Sequence, residues 1–188
     1  MTTKYKGANF SGNNFVVNSL TGTLTIENVA DKIIDLRDGA GNEFVKAYKA
    51  SAAGVIDGRG IASYEIIEGS SAGTDVIFAG DGGSQLWGGS GTAADALVGG
   101  LGTDIFIGGR YQGADNFYSA SSADIVNLND ATLSDIVAAV EGNGSVLIAF
   151  NTGNVINIQS TELLSAAINL ADGSAWRFNH ATKSWQGA

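Results

Sequence analysis

The chain has no cysteine, no proline and a single histidine among its 188 residues. The absence of cysteine excludes disulfides and thiolate metal sites, and His180 alone cannot make a zinc site. Lysine and arginine number ten against nineteen acidic residues, and the resulting net charge of −9 argues against a nucleic-acid partner. No apolar run approaches a transmembrane helix, and the N-terminus has no signal-peptide pattern, so we expect no membrane span. These absences are compatible with a cytoplasmic protein or with export by a C-terminal signal.

Glycine is the abundant residue, with 27 copies in a chain that is 44% hydrophobic. A Gly-rich chain with this much apolar content predicts compact β-turns rather than a disordered linker.

Residues 68–127 repeat every twenty residues. Three segments fall into register: EGSSAGTDVIFAGDGGSQLW, GGSGTAADALVGGLGTDIFI and GGRYQGADNFYSASSADIVN. In each, an eight-residue turn segment precedes a triplet with an apolar centre, and a six-residue segment precedes a second such triplet. A period of this length indicates a solenoid, in which each unit buries its core against its neighbours.

Each repeat predicts one coil with two short strands and two turns, because a triplet of outward, inward and outward residues is a minimal strand. We therefore predict an all-β fold, a parallel β-roll or β-solenoid with about 20 residues per coil and coils about 4.8 Å apart. The inward positions are Ile77, Leu97 and Phe117 on one sheet and Leu86, Phe106 and Val126 on the other.

Stacked coils also stack the last residue of each turn. One predicted column holds Asp75, Asp95 and Asp115, and the second, on the opposite edge, holds Ser84, Asp104 and Asp124. Carboxylates about 5 Å apart repel by roughly 1 kcal/mol in water and roughly 3 kcal/mol at an effective dielectric of 20. Carboxylates beside turn carbonyls suit calcium, which would relieve that repulsion. The alternative is a metal-free solenoid that keeps Asp as a turn former, because its side chain bonds the local backbone.

The segment GGLGTDIFI at 99–107 matches the Gly-Gly-x-Gly-x-Asp-x-apolar-x nonapeptide, and the chain here resembles the RTX, or hemolysin-type calcium-binding, repeat family. DGAGNEFVK at 38–46 and AGDGGSQLW at 79–87 are weaker copies, with Glu43 and Ser84 in the Asp position. The resemblance implies a parallel β-roll, calcium in the turns and export by the type I secretion machinery to the medium or the bacterial cell surface. The metal-site residues expected from the columns and the resemblance are Asp104, Asp124, Asp81, Gly99, Gly100, Gly102, Asp75, Asp95 and Asp115.

The repeats also depart from the family pattern. The family coil usually has eighteen residues and two six-residue turns, whereas one edge here has eight-residue turns, and the turn SASSAD at 119–124 lacks glycine. We therefore expect calcium at the six-residue edge, at Asp104 with Asp124 above it and Ser84 or Asp81 below. The eight-residue edge would hold no calcium or hold it differently.

Three regions follow from the pattern. Residues 1–67 are interpreted as irregular coils of the same solenoid, with a separate small β domain as the alternative; residues 68–128 are the regular repeats. Residues 129–188 are the C-terminal cap and secretion-associated region, since a solenoid end exposes apolar core. Within this cap we predict a short helix from Leu133 to Val140, started by Ser134 and ended by Gly142, and two hairpins that turn at Thr152-Gly153 and Asp172-Gly173. The cap is similar to the region that follows RTX repeats.

We expect no enzyme activity. Gly69–Gly73 spells the Gly-x-Ser-x-Gly nucleophile elbow around Ser71, but it lies inside a repeat turn and lacks the helix that the elbow needs. The favoured function is a calcium-binding structural domain that folds outside the cell, with calcium ions and the secretion machinery as partners. The alternative is a calcium-independent interaction or self-assembly module, such as part of an S-layer or adhesin.

Overall fold

The computed structural model describes residues 2–6, 14–16, 22–27, 33–35, 45–50, 54–60, 64–71, 73–118, 123–142, 144–159, 167–179, 181–182 and 184–187. Glu43 and His180 lie outside the described residues. The described strands form two sheets, here sheet A with ten strands and sheet B with nine.

Sheet A contains the strands β1 (Thr2–Lys6), β3 (Gly22–Glu27), β5 (Val45–Ala50), β7 (Glu65–Glu68), β9 (Ser84–Trp87), β11 (Ile105–Gly108), β13 (Ile125–Leu128), β17 (Ala167–Leu170), β18 (Ala175–Asn179) and β19 (Ser184–Gly187), in that spatial order. Sheet B contains, from one edge to the other, β14 (Ile136–Gly142), β15 (Ser145–Phe150), β16 (Val155–Gln159), β12 (Asn116–Tyr118), β10 (Ala96–Val98), β8 (Val76–Phe78), β6 (Val55–Asp57), β4 (Ile33–Asp35) and β2 (Asn14–Val16). From β1 to β13 successive strands alternate between the sheets, so every coil contributes one strand to each.

The twenty-residue period is the spacing of the parallel strands. Leu97 pairs with Ile77 on one side and Phe117 on the other, and Phe106 pairs with Leu86 and Val126. The predicted β-solenoid with coils of about 20 residues is therefore confirmed.

The N-terminal strands continue the same two sheets with less regular spacing. Thr2 pairs with Thr23, an offset of 21 residues, and Asn14 pairs with Ile33, an offset of 19. The register of β3 on β5 shifts between Gly22 and Thr23. The strand β1 was not predicted, because its sequence TTKYK has one aromatic residue and no apolar aliphatic one.

The core is a double ladder of inward side chains. The residues are Ile56, Ile77, Leu97, Phe117 and Ile158 from sheet B and Ile67, Leu86, Phe106, Val126 and Ile168 from sheet A. Phe106 and Phe117 stack across the core with ring centroids 5.2 Å apart. Because each buried side chain of this size contributes about 1.5–3 kcal/mol, the ladder is the main source of cohesion between coils.

The C-terminal region closes both sheets with antiparallel strands. The strand β16 is the last parallel strand of sheet B, and β15 and β14 add to it antiparallel. In sheet A, β17 pairs parallel with β13, and β18 and β19 follow antiparallel. Both predicted hairpins are present at their predicted turns, with glycines in the left-handed conformation at Gly153 and Gly173.

The predicted helix from Leu133 to Val140 is wrong for all but its first three residues. One 3-10 turn spans Leu133–Asp135, and Ile136–Gly142 is the strand β14. Thr132, not Ser134, starts the turn, and Asp135 accepts its backbone N–H at 2.8 Å. The apolar spacing of this segment also fits a helix. In the structure the segment pairs instead with the apolar strand β15, and its β-branched valines favour a strand.

No helix among the residues described above has the length and apolar character needed to cross a membrane.

Candidate functional site

The two predicted columns form, one at each edge of the solenoid. Asp75, Asp95 and Asp115 directly precede β8, β10 and β12, whose registers align them. Ser84 is the first residue of β9, and Asp104 and Asp124 directly precede β11 and β13 at the opposite edge. All six side chains are buried, with no residue more than 3% exposed. They therefore point into the solenoid and not into solvent.

In both columns, carboxylate oxygens of one coil accept backbone N–H groups of the coil before it. Asp95 Oδ1 accepts the backbone N–H of Asp75 at 2.7 Å, and Asp115 Oδ1 accepts that of Asp95 at 3.0 Å. The opposite edge repeats this, since Asp124 Oδ1 accepts the N–H of Asp104 at 2.8 Å. Each bond joins residues twenty apart, so the columns are ladders of carboxylate-to-backbone hydrogen bonds. Hydrogen bonds to charged groups contribute roughly 1.5–3 kcal/mol each.

The second oxygen closes the turn of its own coil. Asp75 Oδ2 accepts the N–H of Ser70 at 2.6 Å, and Asp104 Oδ2 accepts that of Gly100 at 2.7 Å. Ser84 takes the same position with a hydroxyl, because its Oγ accepts an N–H from Gly80 at 3.1 Å. The serine in the weaker nonapeptide copy thus keeps the turn closed without a charge.

Glycines in these turns are required by the closeness of stacked backbones. A Cβ on Gly88 would lie 2.2 Å from Asp95 Oδ2, and one on Gly100 would lie 2.2 Å from the carbonyl oxygen of Gly80. Gly102 is equally constrained, because its Cβ would lie 2.2 Å from the backbone nitrogen of Gly83. The Gly-rich pattern therefore reflects coil-on-coil packing at both edges.

Burial makes the charged form of these carboxyls unfavourable. It raises the pKa of Asp95 and of Asp115 to about 7, and that of Asp104 to about 6. The backbone N–H bonds lower each pKa, and the neighbouring carboxylate in the column raises it, but burial is the largest cause. The column of Asp95 and Asp115 is consequently partly protonated near neutral pH, which relieves part of the repulsion between its carboxylates.

Among the described residues, two buried carboxylate oxygens have no hydrogen-bond partner, Asp104 Oδ1 and Asp115 Oδ2. The Ser84 N–H lies near enough to Asp104 to lower its pKa, but Oδ1 accepts no bond of normal geometry. At Asp115 the reason is visible: the N–H of Arg110, which would close this turn, donates to Asp130 Oδ1 at 2.7 Å.

The predicted metal ligands do not all come together. Asp81 is exposed on the outer face of the turn 79–84, where it borders a groove with Gly99 and Gly100, whereas Asp104 is fully buried. Within the described ranges, no group of three or more Asp, Glu or His side chains is placed to hold a metal ion. Calcium takes six to eight oxygens, so an ion at this edge would rely mainly on backbone carbonyls.

Sequence reasoning missed a polar clamp where the cap meets the last eight-residue turn. Arg110 Nη1 forms an ion pair with Asp135 Oδ1 at 2.7 Å. Two side chains of the cap bond the backbone of the turn: Thr152 Oγ1 donates to the carbonyl of Arg110 at 2.8 Å, and Asn154 Nδ2 donates to the carbonyl of Gly109 at 2.9 Å. The backbone N–H of Thr132, its hydroxyl and Asn151 hold the pKa of Asp135 at about 2, with Arg110 a smaller cause. In the sequence, Asp130 follows Arg110 by one period of twenty residues, and this spacing could have indicated the contact between the turn and the cap.

The Gly69–Gly73 segment follows β7 and leads into β8, so a strand, not a helix, comes after it, and Ser71 is exposed in that turn.

Comparison of the chain with family models, with curated proteins and with solved structures gives no match.

Proposed function

We propose that the chain is a non-catalytic β-solenoid module stabilised by calcium at its six-residue edge. The observation that carries the proposal is Asp104 Oδ1, a fully buried carboxylate oxygen without a hydrogen bond, in the one complete nonapeptide. A buried charged oxygen without a partner is costly, and a cation between the turns would remove that cost.

The residues of this edge suit a hard cation. Asp104 and Asp124 are consecutive in the column, and the carbonyls of Gly99, Gly100 and Gly102 belong to the turn that Asp104 closes. When bound, calcium would supply positive charge against the two carboxylates. The chain's own contribution is the closed turn, which holds Asp104 in place through the Gly100 N–H.

The eight-residue edge fits calcium less well. Both oxygens of Asp75 accept backbone N–H groups, from Gly54 at 2.7 Å and from Ser70 at 2.6 Å. These donors satisfy the carboxylate without a cation. Asp115 Oδ2 at the same edge lacks a hydrogen bond, as Asp104 Oδ1 does, but the complete nonapeptide at 99–107 lies at the Asp104 edge. We therefore assign calcium to the Asp104 edge and a metal-free clamping role to Asp75.

Such a site links folding to the calcium level. At low calcium and neutral pH, ionised buried carboxylates weaken the packing of the coils. A ligand that binds only the folded chain adds about 2.7 kcal/mol of stability at 100 times its dissociation constant. Following the resemblance, we propose that the chain crosses the type I secretion machinery in a loosely folded state. It would then fold in the calcium-rich medium or at the cell surface.

Calorimetric calcium titration of two matched variants tests the assignment. Asp104→Asn keeps an oxygen for the Gly100 N–H but puts an amide where the free oxygen lies, so we expect calcium binding to be lost. Asp115→Asn makes the same change at the opposite edge and should bind calcium as the wild type does. Equal binding by all three proteins would refute the assignment to Asp104.

A calcium-independent self-assembly module is the second candidate. Among the described strands, β14 has a partner on one side only, and Val137 and Val140 on it are 63% and 59% exposed. An unpaired apolar edge strand is a template for association. Sedimentation in chelator decides this: concentration-dependent oligomers support it, and a monomer at all concentrations rejects it.

A further inference from the structure

A surface cavity of about 430 Å³ lies where the C-terminal cap meets the eight-residue turns. Its lining includes Thr92 from the turn 88–95, Arg110 and Tyr111 from the turn 108–115, and Thr152 and Asn154 from the β15–β16 hairpin. A volume of this size suits a small ligand or one or two units of a chain-like ligand. Nothing in the calcium proposal uses this cavity.

The walls of the cavity are held in place by hydrogen bonds to the backbone. Thr152 Oγ1 donates to the carbonyl of Arg110, and Asn154 Nδ2 donates to the carbonyls of Gly109 and Gly113. Gly113 has a φ of +93°, and a Cβ there would collide with the Ala93 carbonyl of the preceding coil. A pocket fixed in this way binds with little loss of conformational entropy.

The cavity presents an aromatic ring beside polar groups. The Tyr111 side chain is 62% exposed, and the Arg110 guanidinium lies 5.2 Å from its ring centroid. Such a ring offers a large apolar surface that is rigid and open to solvent. Hydroxyl groups from Thr92 and Thr152 flank it. The Thr152 hydroxyl already donates to the carbonyl of Arg110, so its oxygen is left to accept a hydrogen bond from a ligand.

The charge of the site argues for a neutral ligand. Arg110 is the one cation among the described lining residues, and its guanidinium is paired with Asp135 at 2.7 Å. Its backbone N–H is bound to Asp130. The chain as a whole carries a net charge of −9, which disfavours anions.

We infer that this cavity binds a neutral saccharide, with the apolar face of one sugar ring against Tyr111 and its hydroxyls bonded to the threonine and arginine side chains. A sugar ring combines an apolar C–H face with a rim of neutral hydroxyls, the complement of this lining. This binding is independent of calcium at Asp104, which lies at the opposite edge.

The test is ¹H–¹⁵N NMR of the full chain titrated with four named probes: cellotetraose, maltotetraose, tetra-N-acetylchitotetraose and tetragalacturonate. We expect at least one neutral probe to give saturable shifts at the amides of Thr92, Tyr111 and Thr152. Tyr111→Ala should weaken that binding about tenfold, whereas Tyr111→Phe keeps the ring and should bind nearly as the wild type does. The matched distant control is Tyr64→Ala, at a tyrosine that is 46% exposed and outside this cavity.

Three outcomes overturn the inference. The first is that no neutral probe gives a saturable shift at about 20 mM, a concentration that detects even millimolar affinity. The second is that tetragalacturonate alone gives shifts. The third is that Tyr111→Ala binds the probe with unchanged affinity. Because Tyr111 is exposed, its truncation should leave the fold intact, which the same spectra verify.

Discussion

Stability should fall as the pH rises through neutrality, because the buried columns must lose protons. The folded-state pKa of Asp115 is about 7, against an ordinary value of 3.8. Between these values the folded chain holds a proton that the unfolded chain has released. The unfolding free energy therefore decreases with rising pH across this window, the opposite of the usual behaviour of ion-paired carboxylates.

The magnitude follows from the size of the change in pKa. For one carboxyl with these two values, linkage gives about 2.5 kcal/mol less stability at pH 8 than at pH 5. Asp95 acts in the same direction, since burial raises its pKa also to about 7. The two carboxyls are neighbours in one column and titrate together, so we expect a few kcal/mol for the pair rather than the sum of two independent values.

Urea unfolding of the chelator-treated chain at pH 5, 6, 7 and 8 measures this effect. Asp115→Asn removes the charge but keeps an oxygen for the N–H of Asp95, so the variant should be more stable than the wild type at pH 8 and less dependent on pH. Asp75→Asn is the contrasting variant, because both Asp75 oxygens accept N–H groups. The new amide NH₂ group would face a backbone N–H donor of Gly54 or Ser70, so the free energy of unfolding should fall by about 1–3 kcal/mol at every pH.

A free energy of unfolding that rises from pH 5 to pH 8 would refute this reasoning. So would an Asp115→Asn variant with the same pH profile as the wild type, because the titrating group would then lie elsewhere.

Three further changes test the packing. Phe106→Ala should destabilise by about 3–5 kcal/mol in urea unfolding, because it empties the centre of the aromatic stack; a loss below about 1 kcal/mol would contradict the core described. Gly88→Ala should lower the melting temperature, because its Cβ would lie 2.2 Å from Asp95 Oδ2. The control Gly142→Ala should not lower it, because no described atom lies within 4 Å of the new Cβ. Equal melting temperatures of the two variants would show that the turns are not closely packed. Asp135→Ala removes the partner of Arg110 and should speed amide hydrogen exchange in the β15–β16 hairpin, whereas unchanged exchange there would show that the clamp does not hold the cap.

The regular part of the fold was predictable because one pattern recurs. Each twenty-residue segment places its apolar centre at the same position, so Leu97 and Phe106 could be assigned to the core and to opposite sheets before the structure was known. The two columns followed from the same period. The less regular strands upstream have offsets of 19 to 24 residues, and β1 lacks the apolar pattern altogether.

The orientation and bonding of the carboxylates could not be read from the pattern. An Asp at the end of a turn can be a metal ligand or can accept a hydrogen bond from the backbone of the preceding coil. Both roles need the same residue at the same spacing. The structure shows that the donors differ from one position to the next: Asp75 has a backbone N–H for each oxygen, whereas Asp104 Oδ1 and Asp115 Oδ2, one at each edge, accept no hydrogen bond. Likewise, the pair of Arg110 with Asp135 depends on how the cap folds back, which no repeat specifies.

The most direct test of the central claim is thermal unfolding of the wild-type chain at pH 7.5, followed by far-UV circular dichroism in chelator, in millimolar calcium and in millimolar magnesium. Calcium should raise the melting temperature or restore the β signal, and magnesium should do so much less. A chain with full β signal in chelator and the same melting temperature in all three solutions would contradict calcium stabilisation and leave the apolar core and the metal-free Asp ladders to hold the coils together.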